Sequence, residues 1–502
     1  MTHSGPVTKA EGCFVMSMFK WELVDPKPGE AVAPHQRLSW GKTVGLGAQH
    51  VVAMFGATFV FPLIMGLNAN LAIMMSGIAT ICFLLIVQGK VPSYLGTSAS
   101  FVGAAAAIYA YQGGDGPGGP ADVTGAILVA GIVLAIVGVI VHYLGADSVN
   151  AVLPPVVTGA VVMLIGFNLA PVATLTYMPS DPWVALITMT AVILMAVGLR
   201  GFFGRIAVFL GLIFGYLLSV VWDWIFGQST LPLPGNPEPG PHDRVNWDAV
   251  KNADWFGFPV HTKDGLVGNQ AFTDGYANVG WHMPSFSIAF ILLALPAVIA
   301  LVAENIGHVK AVAEMTKTDL DPVMGRAIAA DGVGTVIAST VGGSPTTTYA
   351  ENIGVMAATR VYSTAAYFVA AIVAILLGLV PKFGQIVNAT PPAVLGGITL
   401  VLYGMIGLLG AKIWKENGVD FAKPINLVPV AAGIILAIGN ADLKITDDFH
   451  LTGIALGTLV VVLGYHLARV VAPKDLDDGT MIAVGHEGVH AEDHAAPHDH
   501  HH

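Results

Sequence analysis

The stretch Tyr349-Ala-Glu-Asn-Ile-Gly-Val-Met-Ala-Ala-Thr-Arg360 sets a carboxylate, Glu351, at the start of an apolar helix. A second acid, Glu304, closes another long apolar run, with His308 one helical turn further on. Residues four apart share a helix face, so Glu304 and His308 can exchange a proton or form a buried ion pair. Ionisable groups at bilayer depth cost several kcal/mol unless paired or used, which makes them functional candidates by default. Two readings stand for Glu351. It is either a ligand-binding acid or the last member of the capping box Thr348-Tyr-Ala-Glu351, in which it merely satisfies the helix's first amide. His50 and Asp331 lie in further apolar runs, where each serves either chemistry or internal hydrogen bonding. Tyr349 and Tyr403 are candidate walls for a flat ring, or ordinary packing residues. Acids and histidines gathered in one bundle suggest proton-coupled transport. No H-E-x-x-H, phosphate loop or G-x-S-x-G elbow is present, so the sequence offers no constellation for an enzyme.

The elements that carry these residues belong in lipid. Of 502 residues, 54% are hydrophobic and 11% charged, well below the roughly 25% charge of a soluble domain. Apolar segments fall near 44–64, 69–88, 92–111, 123–144, 154–174, 182–199, 203–226, 284–308, 326–343, 349–359, 361–381, 390–410, 424–441 and 449–471, fourteen in all. The segment 349–359 is too short to span alone. With both termini in the cytoplasm, 17 of the 22 Lys and Arg fall on that side, and the positive-inside rule sets the orientation. The polar stretch 227–283, with Trp247, Trp255 and Trp281, then lies outside, anchored by its aromatics. The two cysteines, Cys13 and Cys82, do not support a disulfide framework. The first forty residues read as a retained tail without a signal peptide. The acidic, His-rich end after Lys474 reads as a solvated tail, with metal binding as the alternative.

A motif repeats. Val149-Asn-Ala-Val-Leu-Pro-Pro-Val-Val-Thr-Gly159 returns, one residue shorter, as Val387-Asn-Ala-Thr-Pro-Pro-Ala-Val-Leu-Gly396, seven segments later and from the opposite membrane face. Such self-similarity is the mark of inverted-repeat transporters. The scheme pairs segments three and ten, and both open irregularly, as Pro92-Ser-Tyr-Leu-Gly-Thr-Ser-Ala-Ser-Phe101 and Ser344-Pro-Thr-Thr-Thr-Tyr-Ala350. Each predicts a short extended strand followed by a half-helix whose first N–H groups face a midplane site. Donors from backbone and acceptors from carboxylates complement a planar ring with alternating C=O and N–H, as in uracil or xanthine. An anion would favour the same helix ends but would be repelled by Glu351.

At this point the chain resembles the nucleobase–ascorbate transporter (nucleobase:cation symporter-2) family. The resemblance rests on Glu351-Asn352-Ile-Gly354 with Thr359-Arg360, and on Gln49-His50, Tyr94-Leu-Gly-Thr-Ser98, Ala303-Glu-Asn-Ile-Gly-His308 and Leu402-Tyr-Gly404. Within the family it is most similar to bacterial uracil and pyrimidine permeases. The resemblance implies an all-α polytopic membrane protein with 14 transmembrane segments in a 7+7 inverted repeat, with short strands in broken segments 3 and 10. It also implies a core domain (44–144 and 284–381), a gate domain (145–226 and 382–471), the external loop 227–283, and cytoplasmic tails 1–43 and 472–502. The implied activity is proton symport of a nucleobase across a bacterial inner membrane, without a cofactor or nucleic acid, by a homodimer joined through its gate domains. Substrate binding would fall to Glu304, Glu351, Ala57, Ser98, Ala99, Ala350, Tyr349 and Tyr403. Proton coupling would fall to Glu304, His308 and His50, and Asn352, Gly354, Thr359 and Arg360 complete the signature. The chain departs from a familiar uracil-permease pattern at Ala99, where that pattern has Phe after Gly-Ser-Ser. Its nearest Phe is Phe101. An anion exchanger or sulfate-type transporter on the same fold is the alternative.

Overall fold

A computed structural model describes residues 20–27, 30–113, 116–145, 153–234, 236, 238–259, 280–446 and 450–473. The predicted His-rich tail, most of the first forty residues' amino-terminal half, and residues 149–152 of the first repeat copy lie outside these. Long apolar runs become helices because only internal hydrogen bonding satisfies a backbone in lipid. By length and composition, eight helical stretches among the described residues are long and apolar enough to cross a membrane, or nine if a bent pair counts as one. They are Trp40–Ile64, Ala69–Ile86, Pro120–Leu144, Pro155–Ser180, Ala207–Phe226, Ile288–Thr316, Pro392–Glu416 and Gly453–Val471. The pair Thr364–Gly378 and Pro381–Asn388 is bent by 82° at a break that ends in a proline. Shorter apolar helices are Ala99–Tyr109, Pro182–Gly198 and Pro424–Ile438. The chain is thus a mostly helical, multi-pass membrane protein.

The first run is broken at Met54 into α1 (Trp40–Ala53) and α2 (Phe55–Ile64). After α3 (Ala69–Ile86), segment three opens with an extended strand, Leu95–Thr97, a 3-10 turn at Ala99–Phe101, and the short helix α4 (Val102–Tyr109). Helix α5 (Pro120–Leu144) and α6 (Pro155–Asn168) follow, then α7 (Pro182–Gly198), α8 (Gly201–Arg205), α9 (Ala207–Phe226) and α10 (Asp248–Asn252). The second half holds α11 (Ile288–Ala294), α12 (Pro296–Thr316) and α13 (Asp321–Ser339). A strand Thr346–Thr348 then leads into α14 (Ala350–Thr359). The bent pair is α15 and α16, and α17 (Pro392–Glu416), α18 (Pro424–Ile438) and α19 (Gly453–Val471) complete the chain. In chain order the strands are β1 (Glu22–Leu23), β2 (Gln36–Arg37), β3 (Leu95–Thr97), β4 (Thr346–Thr348), β5 (Asp442–Lys444) and β6 (His450–Thr452).

The two strands expected in segments three and ten are β3 and β4, and they pair antiparallel, centred on Gly96 opposite Thr347. β-branched Thr346, Thr347 and Thr348 favour the extended backbone. A strand buried at this depth must satisfy its outer edge as well. Thr80 of α3 does so for β3, accepting from the Leu95 amide at 2.9 Å. Thr335 of α13 does so for β4, accepting from the Thr346 amide at 3.1 Å and donating to the Thr346 carbonyl at 3.0 Å. Side-chain bulk is excluded at the crossing, where a Cβ on Gly96 would press on Met54, Thr58 and the Tyr349 ring.

The Pro-Pro copies build the same local structure twice. Helix α6 starts at Pro155 behind an extended Pro154, and α17 starts at Pro392 behind an extended Pro391, using proline's preference for the first helical position. The two helices then pack at glycine: a Cβ on Gly166 would lie 2.6 Å from the Gly407 Cα, so only small residues allow this approach.

The sequence did not anticipate the order in the amino-terminal segment. Residues 32–34 dock on the stretch after α14, with Val32 donating to the Arg360 carbonyl at 2.9 Å and Thr364 donating to the Pro34 carbonyl at 3.0 Å. The Trp21 indole adds a 2.8 Å bond to the Thr364 hydroxyl. In the polar stretch, Arg244 pairs with Asp181 at 2.7 Å and Asp223 at 2.5 Å, joining the loop to the neighbouring ends of α7 and α9.

Candidate functional site

Glu351 is the second residue of α14, directly after the strand crossing. Helices leave their first amides without intrahelical acceptors, so the turn at Ala350, Glu351 and Asn352 presents donors. Ala350 is exposed there and Glu351 is half-buried. The capping box does not form. The N-cap is Tyr349, which makes no side-chain cap, and the Thr348 hydroxyl is engaged by Asn305 instead. Glu304 sits midway along α12 within electrostatic reach of Glu351 and Asp331, and Tyr349 lies within reach of all three acids. The structure therefore brings Glu304, Glu351, Asp331 and Tyr349 together around the two broken segments. One turn beyond Glu304, Gly307 is exposed and a Cβ there would meet nothing within 4 Å, so this face of α12 borders open space.

The histidines take other partners than the sequence suggested. His308 and Glu304 share a face of α12, yet among the described residues no ion pair joins them. Nδ1 of His308 instead lies 2.8 Å from the Thr348 hydroxyl. That hydroxyl donates to Asn305 Oδ1 at 3.3 Å, so the His308 Nδ1–H is the donor. Asn305 Nδ2 in turn donates to Asp331 at 2.7 Å and to the Leu301 carbonyl at 2.9 Å. The result is a directional chain from His308 through Thr348 and Asn305 to Asp331. His50 is buried and donates from Nδ1 to Asn352 at 2.9 Å, its ring 4.5 Å from that of Tyr367. Both histidines thus brace the strands and half-helices, and neither touches Glu304 through a hydrogen bond among the described residues.

The remaining candidates divide between the site and its supports. Ser98 is fully buried and caps the 3-10 turn by accepting from the Ser100 amide at 3.3 Å, while its own amide donates to the Pro345 carbonyl at 2.9 Å. Ala99 is half-buried at the start of that turn. Tyr349 donates its hydroxyl to the Thr97 carbonyl and so cross-links the two arms. Tyr403 is buried on α17 within electrostatic reach of Tyr177, and among the described residues no hydrogen bond or ring contact ties it to the acids. Ala57 falls in α2, but its side chain lies outside the described residues. Gly354 is half-buried on α14. Thr359 donates to the Val355 carbonyl at 2.9 Å, and Arg360 closes the helix in the left-handed region at φ 54°. The Thr359-Arg360 end of the signature is therefore a helix stop that also holds the amino-terminal segment.

Sequence reasoning missed Asn305, although the signal is plain. The pentapeptide Ala-Glu-Asn-Ile-Gly occurs twice, at 303–307 and at 350–354. In each copy the acid is half-buried and the Asn beside it is fully buried.

Two strand-to-helix arms that meet inside a helical membrane bundle near two acids are an arrangement that suits a membrane transporter. The chain belongs to the permease family Xan_ur_permease, whose description, "Permease family", matches residues 41–445. It is 40% identical to the putative pyrimidine permease RutG of Escherichia coli K12, over 89% of this chain and 95% of that one. It is 35% identical to the uracil permease of Bacillus caldolyticus, over 84% and 91%. Among solved structures, murine Slc26a9, an anion transporter in its inward-facing state, matches with a TM-score of 0.59 at 12% identity, covering 94% of this chain and 73% of that one. The transmembrane domain of the cyanobacterial bicarbonate transporter BicA matches with a TM-score of 0.52 at 14% identity, covering 84% and 96%. At such identities the two structures share the fold alone.

Proposed function

We propose that this chain imports a nucleobase, uracil or a close relative such as thymine or xanthine, by proton-coupled symport. The observation that carries the reading is the meeting of the β3–β4 crossing and the start of α14 with Glu304 and Glu351. N–H groups of the Ala350 turn and of the backbone near Ala99 would hold ring carbonyls, and the two carboxyl groups would accept ring N–H. Tyr349 and Tyr403 would flank the ring, with Ala57 and Ser98 completing the pocket. The relatives named pyrimidine and uracil permeases support this choice over an anion, which two acids would repel.

Glu304 is the proposed proton carrier, with His308 and His50 in supporting roles through their contacts with Thr348 and Asn352. One inward proton charge supplies about 2.3 kcal/mol per 100 mV, enough for tens-fold accumulation. In this reading the long, bent and short apolar helices, together with Asp321–Ser339 and Ala350–Thr359, make fourteen segments in a 7+7 inverted repeat. A core (44–144 and 284–381) carries the base and shifts against a gate (145–226 and 382–471) by alternating access. The gate domains pair two copies in a bacterial inner membrane, with the external loop 227–283 outside and the tails 1–43 and 472–502 in the cytoplasm.

Ala99 bears on selectivity. Phe101 is fully buried in the main core, so it does not replace a ring at position 99. A wider pocket that accepts xanthine as well as uracil is the expectation. The test is radiolabelled uracil uptake into proteoliposomes under an inward proton gradient, with wild type beside Glu351→Gln and Glu304→Gln. Gradient-driven uptake lost in both variants supports the reading. Sulfate or bicarbonate exchange without uracil uptake would replace it with the anion alternative.

A further inference from the structure

The repeated Ala-Glu-Asn-Ile-Gly segments place a buried amide next to each site acid. On a helix the next residue points about 100° away, so an acid facing the cavity is followed by a side chain facing the core. Each Asn uses that direction to grip one strand of the crossing. Asn352 donates to the carbonyl of Tyr94, the residue before β3, at 3.4 Å, and accepts from His50. Asn305 accepts from Thr348, the last residue of β4, and donates to Asp331 on α13. The two acids come from separate helices, yet both are referenced to the same strand pair.

We propose that Asn305 is a positioning residue for Glu304, as its copy Asn352 is for Glu351. By bonding β4 and α13 at once, it fixes the rotation of α12 and hence where the Glu304 carboxyl meets the substrate. The role rests on the nucleobase reading above. A side chain that only stabilised the bundle would alter unfolding and protein yield. One that sets the carboxyl's place alters substrate affinity in protein that remains folded.

The test measures uracil binding by calorimetry and uracil uptake kinetics in proteoliposomes for wild type, Asn305→Ala and the double variant Asn305→Asp/Asp331→Asn. The alanine variant should raise Kd and KM about tenfold or more, with kcat within about threefold, since a misplaced group is felt most in binding geometry. The double variant exchanges donor and acceptor: the amide now on α13 donates to the carboxylate now on α12, which still accepts from the Thr348 hydroxyl. It should bring Kd back to within about fivefold of wild type: the bonds to α13 and to β4 return with the net charge unchanged, while the one that Asn305 donates to the Leu301 carbonyl does not. Wild-type affinity in Asn305→Ala, or an unrescued double variant whose melting temperature matches wild type, would overturn the positioning role while leaving nucleobase transport in place. Absence of uracil binding to wild type would overturn both. If the alanine variant fails to fold, the double variant alone decides.

Discussion

Broken segments three and ten have the same plan and different chemistry. Each places a three-residue strand in the crossing and then starts a short helix, and each strand's outer edge is closed by a threonine from the helix before it, Thr80 or Thr335. After the strand, segment three continues Ser98-Ala99-Ser100-Phe101 and carries no charge, whereas segment ten continues Tyr349-Ala350-Glu351-Asn352. The backbone geometry is therefore supplied twice and the acid once. Two arms of like backbone provide two helix starts at one place, and under the proposed function side chains on a single arm select what binds between them.

The comparison is most easily broken at the acid. Glu351→Gln keeps the size and the local helix but removes the charged acceptor, and should reduce gradient-driven uracil uptake about a hundredfold or more, the loss expected for an acceptor buried against its ligand. Next come the paired threonines. Thr335→Val leaves a buried Thr346 amide and carbonyl without their hydroxyl partner, and Thr80→Val does the same to the Leu95 amide. Each should cost about 1–3 kcal/mol in thermal or denaturant unfolding, with Thr335→Val the larger because two bonds are lost. Filling the neutral arm should sharpen selectivity: Ala99→Phe is expected to lower xanthine uptake about tenfold relative to uracil, checked by competition. The smallest effect belongs to Ser98→Ala. It removes a 3.3 Å cap on a one-turn 3-10 helix and should change uracil affinity less than about threefold in the same assay.

Much of this arrangement is legible in residue order. Composition and the apolar runs define a membrane bundle, and Pro92, Pro345 and the Thr346–Thr348 run mark where helices give way to strands. Side-chain partners are less legible because they are set by packing between distant segments. His308 shares a helix face with Glu304, but the crossing brings Thr348 to its Nδ1, forty residues along the chain. His50 finds Asn352 across 302 residues, a distance no local pattern encodes. Thr348 fits a capping box by spacing, yet Asn305 competes for its hydroxyl and the helix starts one residue later, behind Tyr349. The small strands β1–β2 and β5–β6 were also hidden, since two- and three-residue strands carry no periodicity. The repeated pentapeptide was readable, and its meaning became clear only once both asparagines were seen holding the crossing.

The most direct measurement is calorimetric titration of purified protein with uracil and with sulfate, for wild type and Glu351→Gln. Uracil should bind wild type, Glu351→Gln should weaken that binding about a hundredfold or more, and sulfate should neither bind nor compete. Uracil affinity unchanged in Glu351→Gln, or displacement of uracil by sulfate, would contradict the assignment of the acid-bearing arm as the nucleobase site.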